Sequence, residues 1–161
     1  MPWQRTQVLS ETADSSSVAS SVVTPMNILI VDDSRFLRLA NERALIKAGH
    51  NVITASDGEE GLRLARERKP DLVILDMMLP KLSGQDVLHA LRGDAQTATM
   101  PVMVLTSLPQ CNEYKLKGEG ATSFHQKALL KLDKGTSLFV ETVELILSRA
   151  AREKAAAAAA H

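Results

Sequence analysis

The sequence predicts an α/β fold in which one parallel sheet of five strands is covered by helices on both faces. Three observations lead to this class: short apolar runs alternate with longer amphipathic runs, the apolar runs are hydrophobic almost without interruption, and the amphipathic runs start and stop at typical capping residues. A doubly wound five-stranded sheet most often has the strand order 2-1-3-4-5 and binds its ligands beyond the carboxyl ends of the strands. We therefore expect that order and a site at that edge.

The first strand and helix are the clearest of these units. The segment "NILIV" (Asn27–Val31) is a predicted buried strand, and the helix after it starts at the cap Ser34 and stops at Gly49. Helical spacing predicts a core-facing stripe on this helix, made of Phe36, Leu37, Ala40, Ala44, Leu45 and Ala48.

Four further strands and four further helices follow. The strands are predicted at "NVITA", "DLVIL", "PVMVL" and "ATSF". The helices are predicted at "DGEEGLRLARERK", "SGQDVLHALRG", the short polar "PQCNEYKLKGEG", and residues 132–149, whose inner face carries Phe139, Val143, Ile146 and Ala150. At the start of the second helix, Asp57 with Glu60 three residues later resembles a capping box.

The two ends of the chain differ from this pattern. Residues 1–25 are rich in Ser, Thr and Ala and show no sustained period, so we expect a disordered leader before a single domain at 26–150. Residues 151–161 carry an alanine run, which we expect to be a tail that either continues the last helix or is foreign to the natural sequence.

Composition limits the classes of partner. Lys plus Arg and Asp plus Glu both number 19, so no overall positive field attracts nucleic acid or an acidic membrane. The single cysteine, Cys111, excludes an intrachain disulfide, and no apolar run approaches the roughly 20 residues of a membrane helix. We expect a cytoplasmic protein that recognises its partners locally.

Polar and charged residues follow the strands at the predicted binding edge. They are Asp32, Asp33, Asp76, Thr106, Ser107 and Lys127. Carboxylates in one cleft repel each other, by roughly 4 kcal/mol for two unit charges about 4 Å apart at an effective dielectric constant of 20. The site must therefore hold positive charge. Lys127 supplies one such charge, and Mg²⁺, which prefers carboxylate oxygens and commonly partners phosphate, is the expected second.

These groups suit the transfer of a phosphoryl group. Asp76 ends the central strand and is the expected nucleophile, while Asp32 and Asp33 are better placed to hold the metal. Lys127 would contact a phosphoryl oxygen, and the Thr106 hydroxyl would hydrogen-bond to another.

Four segments, "VDDS", "LDMMLPKLSG", "LTS" and "GATSFHQK", resemble in this order the receiver domain of two-component response regulators, a CheY-like and flavodoxin-like family. The resemblance covers roughly Met26 to Arg149. It implies that Asp76 accepts a phosphoryl group from a histidine of a sensor kinase or a histidine phosphotransfer protein. It further implies that the backbone carbonyl of Met78 is a Mg²⁺ ligand, and that the N–H groups of Met78 and Ser107 bind the phosphoryl group.

Phe124 resembles the aromatic switch of the same family. Thr106 would move toward the phosphoryl group, the ring would turn inward, and the surface of the last two helices and the fifth strand would change shape for a target protein. The family usually has proline after the lysine, where this chain has Ala128, so we predict a trans peptide bond between Lys127 and Ala128.

Other classes fit the residues less well. A phosphatase of the haloacid dehalogenase type needs a second acid two residues after Asp76, where Met78 stands, and an FMN phosphate would be repelled by Asp32 and Asp33. A degenerate scaffold would have lost site residues. Because few residues follow the last helix, we expect a signalling protein that acts by protein contact, with no classical enzyme activity and no direct binding of nucleic acid. A stand-alone regulator, a phosphorelay intermediate, and a fragment of a larger regulator or hybrid kinase all remain open.

Overall fold

The computed structural model describes residues 24–107, 118–127 and 137–159. Its strands are β1 (Asn27–Val31), β2 (Asn51–Ala55), β3 (Leu72–Asp76), β4 (Val102–Thr106) and β5 (Ser123–Gln126). Its helices are α1 (Arg35–Lys47), α2 (Gly58–Arg68), α3 (Gly84–Arg92) and a C-terminal helix (Ser137–Ala159). Nearly all of the expected leader, most of the predicted helix at "PQCNEYKLKGEG", Cys111, and the peptide bond before Ala128 lie outside the described residues.

All five strands are parallel and lie in the order β2-β1-β3-β4-β5, which confirms the predicted fold class. The register brings Asp76 beside Leu105 and Thr106 beside Gln126. Because parallel strands all run in one direction, the carboxyl ends of β1, β3, β4 and β5 meet at one edge of the sheet. The polar residues that follow them are thereby collected in one place.

The central strands are buried on both faces. Leu29 and Val73 belong to a core cluster covered by α2 and α3, whereas Ile28 and Leu72 belong to a second cluster covered by α1 and the C-terminal helix. Successive strand residues point to opposite faces, so each position must be apolar. This explains the uninterrupted hydrophobic runs in the sequence. On the C-terminal helix the predicted Phe139, Val143 and Ile146 are buried, and Ala150 is half-buried.

The prediction for the core-facing stripe of α1 is wrong at one residue. Phe36 has 75% of its surface exposed, whereas Leu45 is fully buried. The stripe that meets the sheet runs along Leu37, Asn41 and Leu45, since residues four apart lie on one side of a helix. Phe36 is one residue away from this stripe, about 100° around the helix, and faces solvent. The three predicted alanines are half-buried.

Asn41 is a buried polar residue that the apolar pattern does not predict. Its side chain is fully buried, and neither Oδ1 nor Nδ2 has a hydrogen-bond partner among the residues that the structure describes. A buried polar group without a partner costs about 1–3 kcal/mol.

We expect Asn41→Leu to raise the free energy of unfolding, measured by urea denaturation, by about 1–2 kcal/mol, because it removes the polar atoms and keeps a similar volume. Asn41→Asp is the matched control and should destabilise the protein, since it places a charge at the same position. A loss of stability in Asn41→Leu would contradict this expectation and would indicate a buried water bound to the amide.

The boundaries of four elements differ from the prediction. β3 starts one residue later than "DLVIL" indicates and includes Asp76. β4 includes Thr106 and starts after Pro101, which has no N–H to donate. β5 lies two residues later than "ATSF" indicates, because Thr122 makes its hydrogen bonds at the entry to the ladder: its N–H donates to the Val102 carbonyl and its Oγ1 accepts from the Val102 N–H. The C-terminal helix continues beyond Arg149, as the high helix propensity of alanine allows.

The predicted helix starts are confirmed. The side chains of Ser34, Asp57 and Ser83 each accept a hydrogen bond from a backbone N–H three residues later. Gly49, with φ of 102°, follows the end of α1, in a backbone conformation that suits glycine. Among the described residues, no helix is both long enough and apolar enough to span a membrane.

Candidate functional site

Three carboxylates meet at the carboxyl edge of the sheet. Asp32 and Asp33 follow β1, and Asp76 is the last residue of β3. Each offers an oxygen that lies within 4.8 Å of an oxygen of the others. Asp32 and Asp76 are buried, whereas Asp33 is exposed. The strand order brings together acids that are more than forty residues apart in the chain.

Lys127 joins this cluster from the end of β5. Its Nζ donates to Asp32 Oδ2 at 3.0 Å and to Asp76 Oδ2 at 3.3 Å. Burial disfavours its positive charge, but the two carboxylates more than compensate and raise the pKa of Lys127 above its usual value. The lysine therefore stays charged between two acids of the cluster.

Asp76 is the acid whose ionisation the protein opposes. Burial raises the pKa of Asp76 to about 6, and the neighbouring Asp32 adds to this effect, while the charge of Lys127 and the Met78 N–H partly offset it. The Met78 N–H donates to Asp76 Oδ1 at 3.2 Å. Both oxygens of Asp76 thus have a donor, but together the donors do not neutralise the cost of burial.

Asp32 is held at several atoms. Its N–H donates to the Ala55 carbonyl at 3.1 Å, and its Oδ1 accepts from the Ser34 N–H at 2.9 Å. Its backbone carbonyl accepts from Arg38 Nη1 at 2.7 Å. Arg38 was not predicted as a site residue, because its role depends on how α1 folds back on the end of β1.

Two glycines, neither of which was predicted as a site residue, anchor the loop after Asp76. The Gly84 N–H donates to the Met77 carbonyl at 3.1 Å, and the Gly58 N–H donates to the Pro80 carbonyl at 3.3 Å. An added Cβ would lie 2.3 Å from the Asp76 carbonyl oxygen at Gly84 and 1.8 Å from the Leu82 carbonyl oxygen at Gly58. At both glycines the neighbouring backbone is too close to leave space for any side chain. In the sequence, the one indication of these contacts is the glycine at the start of each helix.

The remaining predicted site residues lie in the loop after β3, at the end of β4 and in β5. Thr106 is fully buried at the end of β4, and Ser107 after it is exposed. Met78 is 56% exposed, so its side chain lies at the rim. Phe124 in β5 is half-buried and packs against the core cluster beneath α2 and α3.

The donor set of this site fits a hard divalent cation. All three acids offer oxygen, which Mg²⁺ prefers, and their mutual proximity is unfavourable without positive charge beyond that of Lys127. Mg²⁺ keeps several waters and takes few protein ligands, which suits a site with one exposed acid. Carboxylates, a cation site and a lysine together can bind and transfer a phosphoryl group.

Comparison with known protein families gives one match that covers most of the chain. Residues 28–131 match the family described as the response regulator receiver domain. Receiver domains are signalling domains that are phosphorylated by histidine kinases and bind Mg²⁺ in an acidic pocket.

Individual relatives and solved structures agree with this match. Protein PilH of Pseudomonas aeruginosa is 41% identical over 83 residues, 52% of this chain and 69% of that protein. The transcriptional regulatory protein AfsQ1 of Streptomyces coelicolor is 41% identical over 81 residues, 50% of this chain but 35% of that protein. The chain likewise spans about a third of three further relatives whose names describe them as transcriptional regulators, so it covers only part of their length. The structure of chemotaxis response regulator CheY4 of Vibrio cholerae superimposes with a TM-score of 0.67 at 30% identity and covers 76% of this chain and 99% of that one.

Proposed function

The chain belongs to the response regulator receiver family, and from this premise we propose that it accepts a phosphoryl group on Asp76 from a phosphohistidine of a partner protein. The partner is a sensor histidine kinase or a histidine phosphotransfer protein. The observation that supports the proposal most directly is the contact of the buried Asp76 with Lys127 in a cluster of three acids.

In the proposed reaction a carboxylate oxygen of Asp76 attacks phosphorus. The bond from phosphorus to the histidine nitrogen breaks, and its electron pair returns to the imidazole, so that an acyl phosphate and a free histidine result. Burial supports this role, because a carboxylate that is poorly solvated is a better nucleophile than one in water. Lys127 would leave Asp76 Oδ2 and contact a phosphoryl oxygen, which keeps its charge beside the developing negative charge.

The other side chains of the site have supporting roles in this proposal. Asp32, Asp33, Asp76 and the Met78 carbonyl would hold Mg²⁺, which when bound supplies positive charge to the phosphoryl oxygens. The N–H groups of Met78 and Ser107 and the Thr106 hydroxyl would donate hydrogen bonds to the same oxygens.

Phosphorylation would be transmitted to a partner protein by a change in the packing around β5. Thr106 lies beside Gln126 in the ladder between β4 and β5, and Phe124 is in the same strand as Gln126. Movement of the Thr106 hydroxyl toward the phosphoryl group would open space for the Phe124 ring, and the surface around β5 would select a different partner. The target is a protein in the cytoplasm, and the chain acts either as a single-domain regulator, as its likeness to PilH favours, or as the receiver of a larger regulator.

We expect acetyl phosphate with Mg²⁺ to add the mass of one phosphoryl group to the chain, measured by intact mass spectrometry. The small phosphodonor replaces the partner because the proposed chemistry resides in the receiver. EDTA is the matched control and should prevent the gain. No gain in mass with Mg²⁺, or a gain of equal size in EDTA, would refute the proposed function.

A further inference from the structure

We propose that Arg38 is a positioning residue for the cation site and acts through the backbone between Asp32 and Asp33. The hydrogen bond from its guanidinium to the Asp32 carbonyl fixes that peptide group and thereby directs the Asp33 carboxylate toward Mg²⁺. This inference rests on the proposed function, since it assumes that the site binds Mg²⁺.

The contact is short and bridges two elements. Arg38 lies in the second turn of α1, is half-buried, and donates from Nη1 to the Asp32 carbonyl oxygen at 2.7 Å. A peptide group is planar, so fixing this oxygen also fixes the nitrogen of Asp33. The guanidinium therefore sets the direction in which the chain enters Asp33.

Asp33 needs this support more than Asp32 does. In Asp32 the Ser34 N–H binds Oδ1 and Lys127 binds Oδ2, so both carboxylate oxygens are already held. Within the described ranges, the exposed Asp33 carboxylate makes no hydrogen bond or ion pair with the protein. Its orientation depends on its backbone and on its own rotamer, and Arg38 controls the first of these.

The position of Arg38 in α1 is explained by its contact with Asp32. Arg38 is half-buried, and a half-buried guanidinium requires partners for its hydrogen-bond donors. In the part of the chain that the structure describes, Arg38 forms no ion pair with a carboxylate. The hydrogen bond to Asp32 is the contact that accounts for its position.

The sign of the effect on metal affinity separates positioning from charge. If Arg38 acted only as a nearby positive charge, it would repel Mg²⁺, and its removal would strengthen binding. If it orients a ligand, its removal weakens binding, and groups that orient metal ligands typically change affinity by about 10–100-fold.

The test is Mg²⁺ binding to the unphosphorylated full chain, measured by isothermal titration calorimetry. We expect Arg38→Met, which keeps the apolar stem, to raise the dissociation constant by about tenfold or more. Arg35→Met removes the same charge from the exposed side of α1 and should leave the constant unchanged or lower it. A constant for Arg38→Met equal to or below that of wild type, or a rise matched by Arg35→Met, would overturn the inference.

A double variant tests the route through Asp33. In the Asp33→Asn background, Arg38→Met should have little further effect, because the ligand that it orients is already weakened. A general structural defect would raise the dissociation constant for Mg²⁺ by the same factor in both backgrounds, and that result would also overturn the inference. If Arg38→Met does not fold, Arg38→Lys takes its place, and weaker binding than wild type supports the inference while equal binding overturns it. Failure of the wild-type chain to bind Mg²⁺ would instead refute the proposed function.

Discussion

Asp76→Asn is expected to abolish the gain in mass that acetyl phosphate and Mg²⁺ produce in the wild-type chain. An amide oxygen is a poor nucleophile and cannot form the acyl phosphate, although asparagine has the size and shape of aspartate. Intact mass spectrometry measures the loss, and peptide mapping of the wild-type product should locate the phosphoryl group on Asp76. Equal labelling of Asp76→Asn and wild type would contradict the assignment of the acceptor.

The same variant should remain folded. Because burial raises the pKa of Asp76 to about 6, its ionised form at neutral pH opposes folding, and this cost is absent only when the carboxyl is protonated at lower pH. The neutral asparagine should therefore stabilise the Mg²⁺-free protein at neutral pH, by about 1–2 kcal/mol after screening by solvent. The matched control is Asp86→Asn, which changes an exposed acid of α3 and should be labelled like wild type. A drop in the melting temperature of Asp76→Asn would mean that lost labelling reflects unfolding.

Gly84→Ala is expected to cost about 3 kcal/mol of stability and to impair labelling as well. Its Cβ would lie 2.3 Å from the Asp76 carbonyl oxygen and 2.7 Å from the Met77 Cα, and both are backbone atoms that cannot turn away as a side chain can. The start of α3 or the end of β3 must shift, and either movement displaces the acceptor. Urea denaturation measures the first effect, and acetyl phosphate labelling measures the second.

Gly93→Ala is the matched control at the other end of α3. A Cβ at Gly93 would meet its nearest atom, the His89 carbonyl oxygen, at 3.4 Å, and the residue has a φ of −83° that any residue adopts. We expect a change within about 0.5 kcal/mol and normal labelling. Similar losses in the two variants would show that the close approach beneath Asp76 is not the cause.

Much of the fold could be predicted because it depends on patterns within short segments. Side chains of a central parallel strand are buried on both faces, so the four residues from Leu72 to Leu75 are all apolar, and β3 could be recognised from them. Ser34, Asp57 and Ser83 form hydrogen bonds within three residues, so these helix starts could be predicted without the rest of the chain. The meeting of Asp32, Asp76 and Lys127 followed from strand order alone, since the carboxyl ends of parallel strands share one edge.

Features that depend on which surfaces meet could not be predicted in this way. Phe36 was wrongly placed in the core, and the burial of Asn41 was not predicted. Hydrophobicity indicates which residues can be buried, while the rotation of α1 against the sheet decides which ones are. The start of β5 depends on where Thr122 pairs with β4.

The sequence by itself determined the class of the fold, the order of its elements, and the set of acids and lysine at one edge, because these depend on local periodicity and on strand order. Only the tertiary structure decided how the site is held: Arg38 on the Asp32 carbonyl, and the backbone of Gly84 against that of Asp76. These are contacts between segments, at distances that change when a helix shifts by an ångström. A sequence pattern does not specify the distances of such contacts, because they are set only when the elements pack against one another.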